Sequence, residues 1–181
     1  MLFSEILHPV VILTAFFYFS KNNMSNLNYL MSPKKIFFAG ILTGVLDIAA
    51  AIVKFYIDTG RGPEPIFRYI ASGVFGTNAF VSGSEMLFYG IIFHFLIAII
   101  FAAIFLTVFP FIHKLVKSWI ITGLLFGLTA WAIMNLVVVP LSGAPQPQFD
   151  IEQNLIAAAI LIGMIGLPLA FIGRNYFQTK A

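Results

Sequence analysis

For most of its length this chain does not alternate apolar and polar residues; the apolar residues run on. Four stretches are nearly unbroken: Ile36 to Ile57, Met86 to Phe109, Trp119 to Val139 and Asn154 to Gly173. Crossing about 30 Å of hydrocarbon takes about 20 apolar residues in a helix, and each stretch is that long. Strands of a membrane barrel would alternate polar and apolar positions, so the pattern predicts four helices. Pro110 and Pro140 are read as stops for the second and third, and Asp150 with Gln153 as a capping box for the fourth. The fold class expected is an all-α membrane protein, a four-transmembrane-helix bundle.

Two segments break this rhythm. Between the first and second spans, "PEPIFRYIASGVFGTNAF" carries Pro65 near its start, suited to a first helical turn. Ile66, Phe67, Ile70 and Val74 then recur at helical spacing. Its apolar part is too short to cross, so an amphipathic helix on the surface is expected, with a re-entrant helix as the alternative. The other segment is the start of the chain. Ile6 to Phe19 is apolar but short and holds His8 and Pro9, and "KNNMSNLNYL" follows. "MSPKKIFFAG" then reads like a natural beginning, Met31 with two lysines ahead of a span. Residues 1–30 are therefore expected to be either a leader wrongly joined to the chain or an interfacial helix. Residues 31–181 form one four-span domain.

Composition sharpens this reading. Of 181 residues, 60% are hydrophobic and 9% charged, against about 25% charged in soluble domains. The mean hydropathy is +0.98. Soluble and disordered readings are excluded. The lipid bilayer is the partner that composition implies. There is no cysteine, which removes disulfides and every thiolate site. The basic residues are scattered near span ends, not clustered as a nucleic-acid patch needs. Lys34, Lys35, Lys114, Lys117, Arg174 and Lys180 fall on one side of the membrane. Lys54, Arg61 and Arg68 fall on the other with Asp58, Glu64, Glu85, Asp150 and Glu152. The positive-inside rule then places both termini in the cytoplasm and makes the second side the outer one.

"GIIFHFLIAIIFA" in the second span, the "FP" that closes it and "PLSGAPQPQFD" after the third span are similar to a group of small bacterial membrane proteins of the YagU type. The "FRYIASGVFG" loop resembles other small bacterial membrane proteins. The likeness runs from about Ala39 to Gly173. It implies a bacterial inner-membrane location and no particular reaction.

The chemistry lies in a few polar positions inside the spans. Gly40, Gly44, Asp47, Ala51 and Lys54 share one stripe of the first helix, where small residues admit a neighbour. Asp47 then points into the bundle. Asp47 and Lys54 are about 10 Å apart along the axis, too far to pair, and lysine reaches toward the near interface. Gly90, His94, Ala98 and Ala102 form a similar stripe in the second span. His94 matches Asp47 in depth to within a few ångströms. Asn135 lies in the outer part of the third span, off its Gly123/Gly127 stripe. Asp47, His94, Asn135 and Lys54 are thus candidates for one polar cluster, joined by Arg68 if the loop helix folds inward. The cluster reads as a structural hydrogen bond between Asp47 and His94, as a proton- or ion-handling pair, or as a ligand site.

Other chemistry finds no support in the sequence. The spans hold one histidine, so a bis-histidine haem is not expected, and no metal-ligand spacing, phosphate loop or nucleophile–base set is visible. No cofactor and no enzymatic activity are expected. The functional expectation is a structural, accessory or stress-related membrane protein that self-associates through its glycine faces. A small proton-coupled channel or transporter using Asp47 and His94 is the alternative.

Overall fold

Pro33 in the first turn and a left-handed Gly60 at the end bound the first helix, α1 (Pro33–Thr59). Only a residue without a Cβ adopts that left-handed geometry freely, and it lets the Gly60 N–H close on the Tyr56 carbonyl. The computed structural model describes residues 31–148 and 150–178, and those from Ser32 onward belong to one unit. The expectations for residues 1–30 lie outside the described residues. After α1 come α2 (Glu64–Phe75), a 3-10 turn (Gly76–Phe80), α3 (Glu85–Val116) and α4 (Trp119–Ile133). A π-turn (Met134–Val138) and the short α5 (Val139–Leu141) extend α4. The last span is α6 (Ile151–Leu161), a second π-turn (Ile162–Gly166) and α7 (Leu167–Gln178). Four of these helical stretches are long and apolar enough to cross a membrane: 33–59, 85–116, 119–141 and 151–177. The protein is an all-α integral membrane bundle.

The prolines act differently from the expectation. Pro110 lies inside α3, which continues to Val116. It removes one N–H close to the end of a 32-residue helix, where few helical bonds remain to be lost. Pro140 and Pro168 each follow a π-turn that ends two residues earlier. A helical proline clashes with the carbonyl four residues back; those residues, Leu136 and Met164, sit within the widened turns. The π-turns thus carry the third and fourth spans past their prolines. At the start of the fourth span Asp150 does cap, its Oδ1 accepting from the Gln153 N–H at 3.0 Å. The Gln153 side chain does not complete a capping box and instead accepts from Lys54.

Glycine sets the helix pairs. A Cβ placed on Gly40 would lie 2.6 Å from the Ile99 Cα, and one on Gly44 3.0 Å from the Ala98 Cβ. α1 and α3 therefore touch almost backbone to backbone. Gly123 and Gly127 meet the fourth span in the same way: Cβ atoms there would lie 2.9 Å from the Gly166 carbonyl oxygen and the Ile162 nitrogen. Gly90 faces neither neighbouring span. It lies under α2, where a Cβ would come within 2.7 Å of the Phe67 carbonyl carbon. The faces expected to drive self-association are thus occupied within the chain.

α2 lies across the end of the bundle. The Phe67 backbone rests on Gly90, and the Phe75 ring, about 12 Å further along α2, packs 5.1 Å from Tyr89 and 6.1 Å from Phe93. Both ends of α2 contact the same short stretch of α3, so α2 crosses it instead of running beside it. Tyr69 Oη donates to the Pro145 carbonyl at 3.3 Å, and the Gly143 N–H donates to the Gly73 carbonyl at 2.9 Å. Burial pushes the Tyr69 phenol above its ordinary value, so the donor keeps its hydrogen across the physiological range.

The closest packing is at the opposite end, nearer the termini. Phe105, Leu106, Phe109 and Leu169 are all 1% exposed or less. Phe105 packs 4.1 Å from Phe126 and 5.5 Å from Phe109 with inclined rings, and Phe109 stacks 5.9 Å from Phe177. The lipid-facing surface is lined by residues such as Phe38, Leu42, Ile100 and Leu125.

Candidate functional site

Asp47 lies near the middle of α1, 14 residues from Pro33 and 12 from Thr59, about 21 Å from one end and about 18 Å from the other. No depth in a bilayer is more costly for a charge. Asp47 is half-buried. Among the described residues it makes no hydrogen bond and no ion pair.

His94 itself is held elsewhere. Its Nε2 lies 2.8 Å from the Gly44 carbonyl, one turn from Asp47 on the same helix. The close approach of α1 and α3 at Gly44 brings that carbonyl within reach. The structural hydrogen bond expected between Asp47 and His94 is therefore absent; the bond exists, but between His94 and the backbone.

The other cluster candidates are not brought to Asp47. Lys54 bonds to Asp58 one turn on, and to Gln153 Oε1 at 2.6 Å, tying α1 to the first turn of α6. Asn135 turns back on its own helix, its Nδ2 donating to the Trp131 carbonyl at 3.0 Å. Arg68 stays at the bundle end. Its Nε donates to Glu64 at 2.9 Å, and its Nη1 to the carbonyls of Ala79 at 2.9 Å and Ser82 at 2.8 Å. Arg68 thereby fastens α2 to the turn that follows it. Replacing Arg68 by Ala removes three charge-assisted bonds and is expected to cost about 2–3 kcal/mol. Limited proteolysis should then cut between residues 76 and 84 well before the spans melt.

One feature at this depth was not legible in the sequence. The Lys54–Gln153 bond sets the register of α1 against the antiparallel fourth span. Seven residues inward from Lys54 is Asp47, about 10 Å deeper; the same step from Gln153 reaches Ile160, beside the π-turn Ile162–Gly166. α1 touches that turn. A Cβ on Gly163, within it, would meet nothing within 4 Å. Single π-turns inside α-helices recur at functional sites. Gly163 and Pro168 together are the only sequence signal for it.

A shallow groove of about 510 Å³ opens at the start of α2, lined by Arg61, Pro63, Glu64, Phe67, Leu87 and Ile91. It does not include Asp47 or His94. Among the described residues, no group of three or more His, Asp or Glu side chains is placed to hold a metal ion. No family model, no curated protein and no solved structure matches the chain.

Proposed function

We propose that this integral membrane protein is non-enzymatic and has a structural, accessory or stress-related role, without carrying protons or solutes across the membrane. The observation that carries this reading is the aromatic packing between the Asp47–His94 level and the termini. Phe105, Phe109 and Phe126 are buried against one another there, about 16 Å along α3 from His94 in the case of Phe105. The hydroxyls in that half add no polar line. Thr43, Thr107, Thr122 and Thr129 each donate to a backbone carbonyl four residues back, at 2.7–2.9 Å. A conducting path needs groups free to bind water or ions, and these are already engaged.

The proposed setting is a bacterial inner membrane with both termini in the cytoplasm. Lys34, Lys35, Lys114, Lys117 and Arg174 all lie at the termini end, supporting that orientation. Lys35 packs over the Tyr176 ring and Arg174 over the Trp119 ring, as suits an interface. Kinship with YagU-type proteins is part of the proposal and rests on the sequence likeness alone. Self-association would use the lipid-facing surface, since the glycine faces are taken.

Because the chain has no cysteine, single introduced cysteines report water access directly. Cysteines at Thr43 and Thr122 should resist a membrane-impermeant thiol reagent from either side, while one at Ser82 should react from one side only. Labelling at Thr43 or Thr122 would reveal a water path and favour the transporter reading.

A further inference from the structure

The groove at the start of α2 joins an apolar floor to a charged rim. The floor is made by Pro65 and Phe67 of α2 and by Leu87 and Ile91, one turn apart on α3. Ile91 lies six residues beyond Glu85, about 9 Å below that end of the span. It is 39% exposed, and Phe88 and Ile92 beside it are exposed too. The groove therefore opens onto the surface that faces lipid. Gly62 borders it, and a Cβ there would meet nothing within 4 Å. The volume of about 510 Å³ falls within the range of small-molecule sites.

The rim carries Arg61 and Glu64. Glu64 is already engaged, its Oε1 accepting from Arg68 Nε at 2.9 Å. Asp58 is taken by Lys54, and the Glu85 carboxylate accepts from the Gly83 N–H at 3.0 Å. The Arg61 guanidinium makes no hydrogen bond and no ion pair among the described residues. The groove thus presents one uncompensated cation above an apolar floor, at the end of a span, where headgroups meet acyl chains.

We propose that this groove binds an anionic phospholipid of the surrounding bilayer. The lipid phosphate pairs with the Arg61 guanidinium, whose planar fork matches two phosphate oxygens. One acyl chain lies along Phe67, Leu87 and Ile91 and covers the apolar floor. A headgroup with a net negative charge balances Arg61. A zwitterionic headgroup brings its own ammonium and leaves the cation uncompensated, so the anionic lipid is the one selected. The site rests on the membrane-spanning fold and goes beyond the accessory role proposed above: a finding of proton conduction would overturn that role and leave the site intact.

Native mass spectrometry of the protein in detergent micelles tests this, with phosphatidylglycerol and phosphatidylcholine of the same acyl chains as probes. Phosphatidylglycerol should be retained about fivefold more than phosphatidylcholine, the effect of one arginine on an anionic lipid. Arg61→Gln should lower it to the phosphatidylcholine level, and Ile91→Trp, which fills the floor, should lower both. Equal retention of the two lipids by the unaltered protein would overturn the proposal, and so would a preference that Arg61→Gln leaves in place. Retention that Ile91→Trp does not change would mean attraction to surface charge alone, which also overturns it. Displacement of phosphatidylglycerol by an equal concentration of inorganic phosphate would assign the site to free phosphate. A dimer that Ile91→Trp dissociates would assign the groove to a second copy of the chain. Either result overturns the proposal. The lipid preference is read on the unaltered protein, so it decides the question even where a variant fails to fold.

Discussion

Gly127→Ala is expected to cost about 3 kcal/mol or more, as overpacking against rigid neighbours does. The added Cβ would collide with the Ile162 backbone, lying 2.9 Å from its nitrogen and closer still to its Cα. A flexible side chain would swing aside; a backbone inside a π-turn cannot. The turn is pinned from the other side too, because Gly166 itself presses on Gly123 and Gly127. The third and fourth spans must therefore separate. Gly163→Ala is the control from the same turn. Its Cβ would meet nothing within 4 Å, so it should change stability by no more than about 1 kcal/mol, and upward if at all. Both tryptophans, Trp119 and Trp131, lie on α4. Thermal melting followed by tryptophan fluorescence therefore reports this helix pair, and equal melting temperatures for the two variants would contradict the account.

Gly90→Ala is expected to lift α2 off the bundle while leaving the four spans assembled. Its Cβ would overlap the Phe67 carbonyl, with 2.7 Å to the carbon and 2.9 Å to the Cα. Again the obstacle is backbone, so α2 must move as a body, at a cost of about 1–3 kcal/mol. Ser72 on α2 is fully buried beneath it. A cysteine at Ser72 should be unreactive in the parent protein and readily labelled in Gly90→Ala. Tryptophan-detected melting should barely change. Labelling that stays absent would mean that α2 is held by something other than the Gly90 contact.

These two variants also mark how far the sequence could be read. The four spans were legible because length and hydropathy depend on no partner. Gly40, Gly44, Gly123 and Gly127 were readable as packing faces because each pair recurs one turn apart. Gly90 shares the Ala98 stripe, yet the stripe changes neighbour along its length, from α2 at Gly90 to α1 at Ala98, and periodicity carries no sign of that. Pro110 was misread as a stop because the rule for proline ignores how near the helix end it falls. Of the π-turns before Pro140 and Pro168, the second has only Gly163 and Pro168 as a sequence signal, and these do not specify a widened turn. The partners of Arg68 escaped for a similar reason: two of its acceptors are main-chain carbonyls eleven and fourteen residues along the chain. Matching depths along helices set His94 level with Asp47; the structure bonds its ring to the Gly44 carbonyl, one turn away. Depth could not foresee that glycine would bare a carbonyl nearby and that the ring would bond there.

The proposed account comes down to aromatic packing that closes the bundle between the level of Asp47 and His94 and the termini side. Proton flux in proteoliposomes tests that most directly. With a pH gradient imposed, the intact protein should leak no faster than protein-free vesicles, and Asp47→Asn should be indistinguishable from it. A protein-dependent flux that disappears in Asp47→Asn would show that the Phe105–Phe109–Phe126 packing does not close the bundle, and would make the protein a proton carrier.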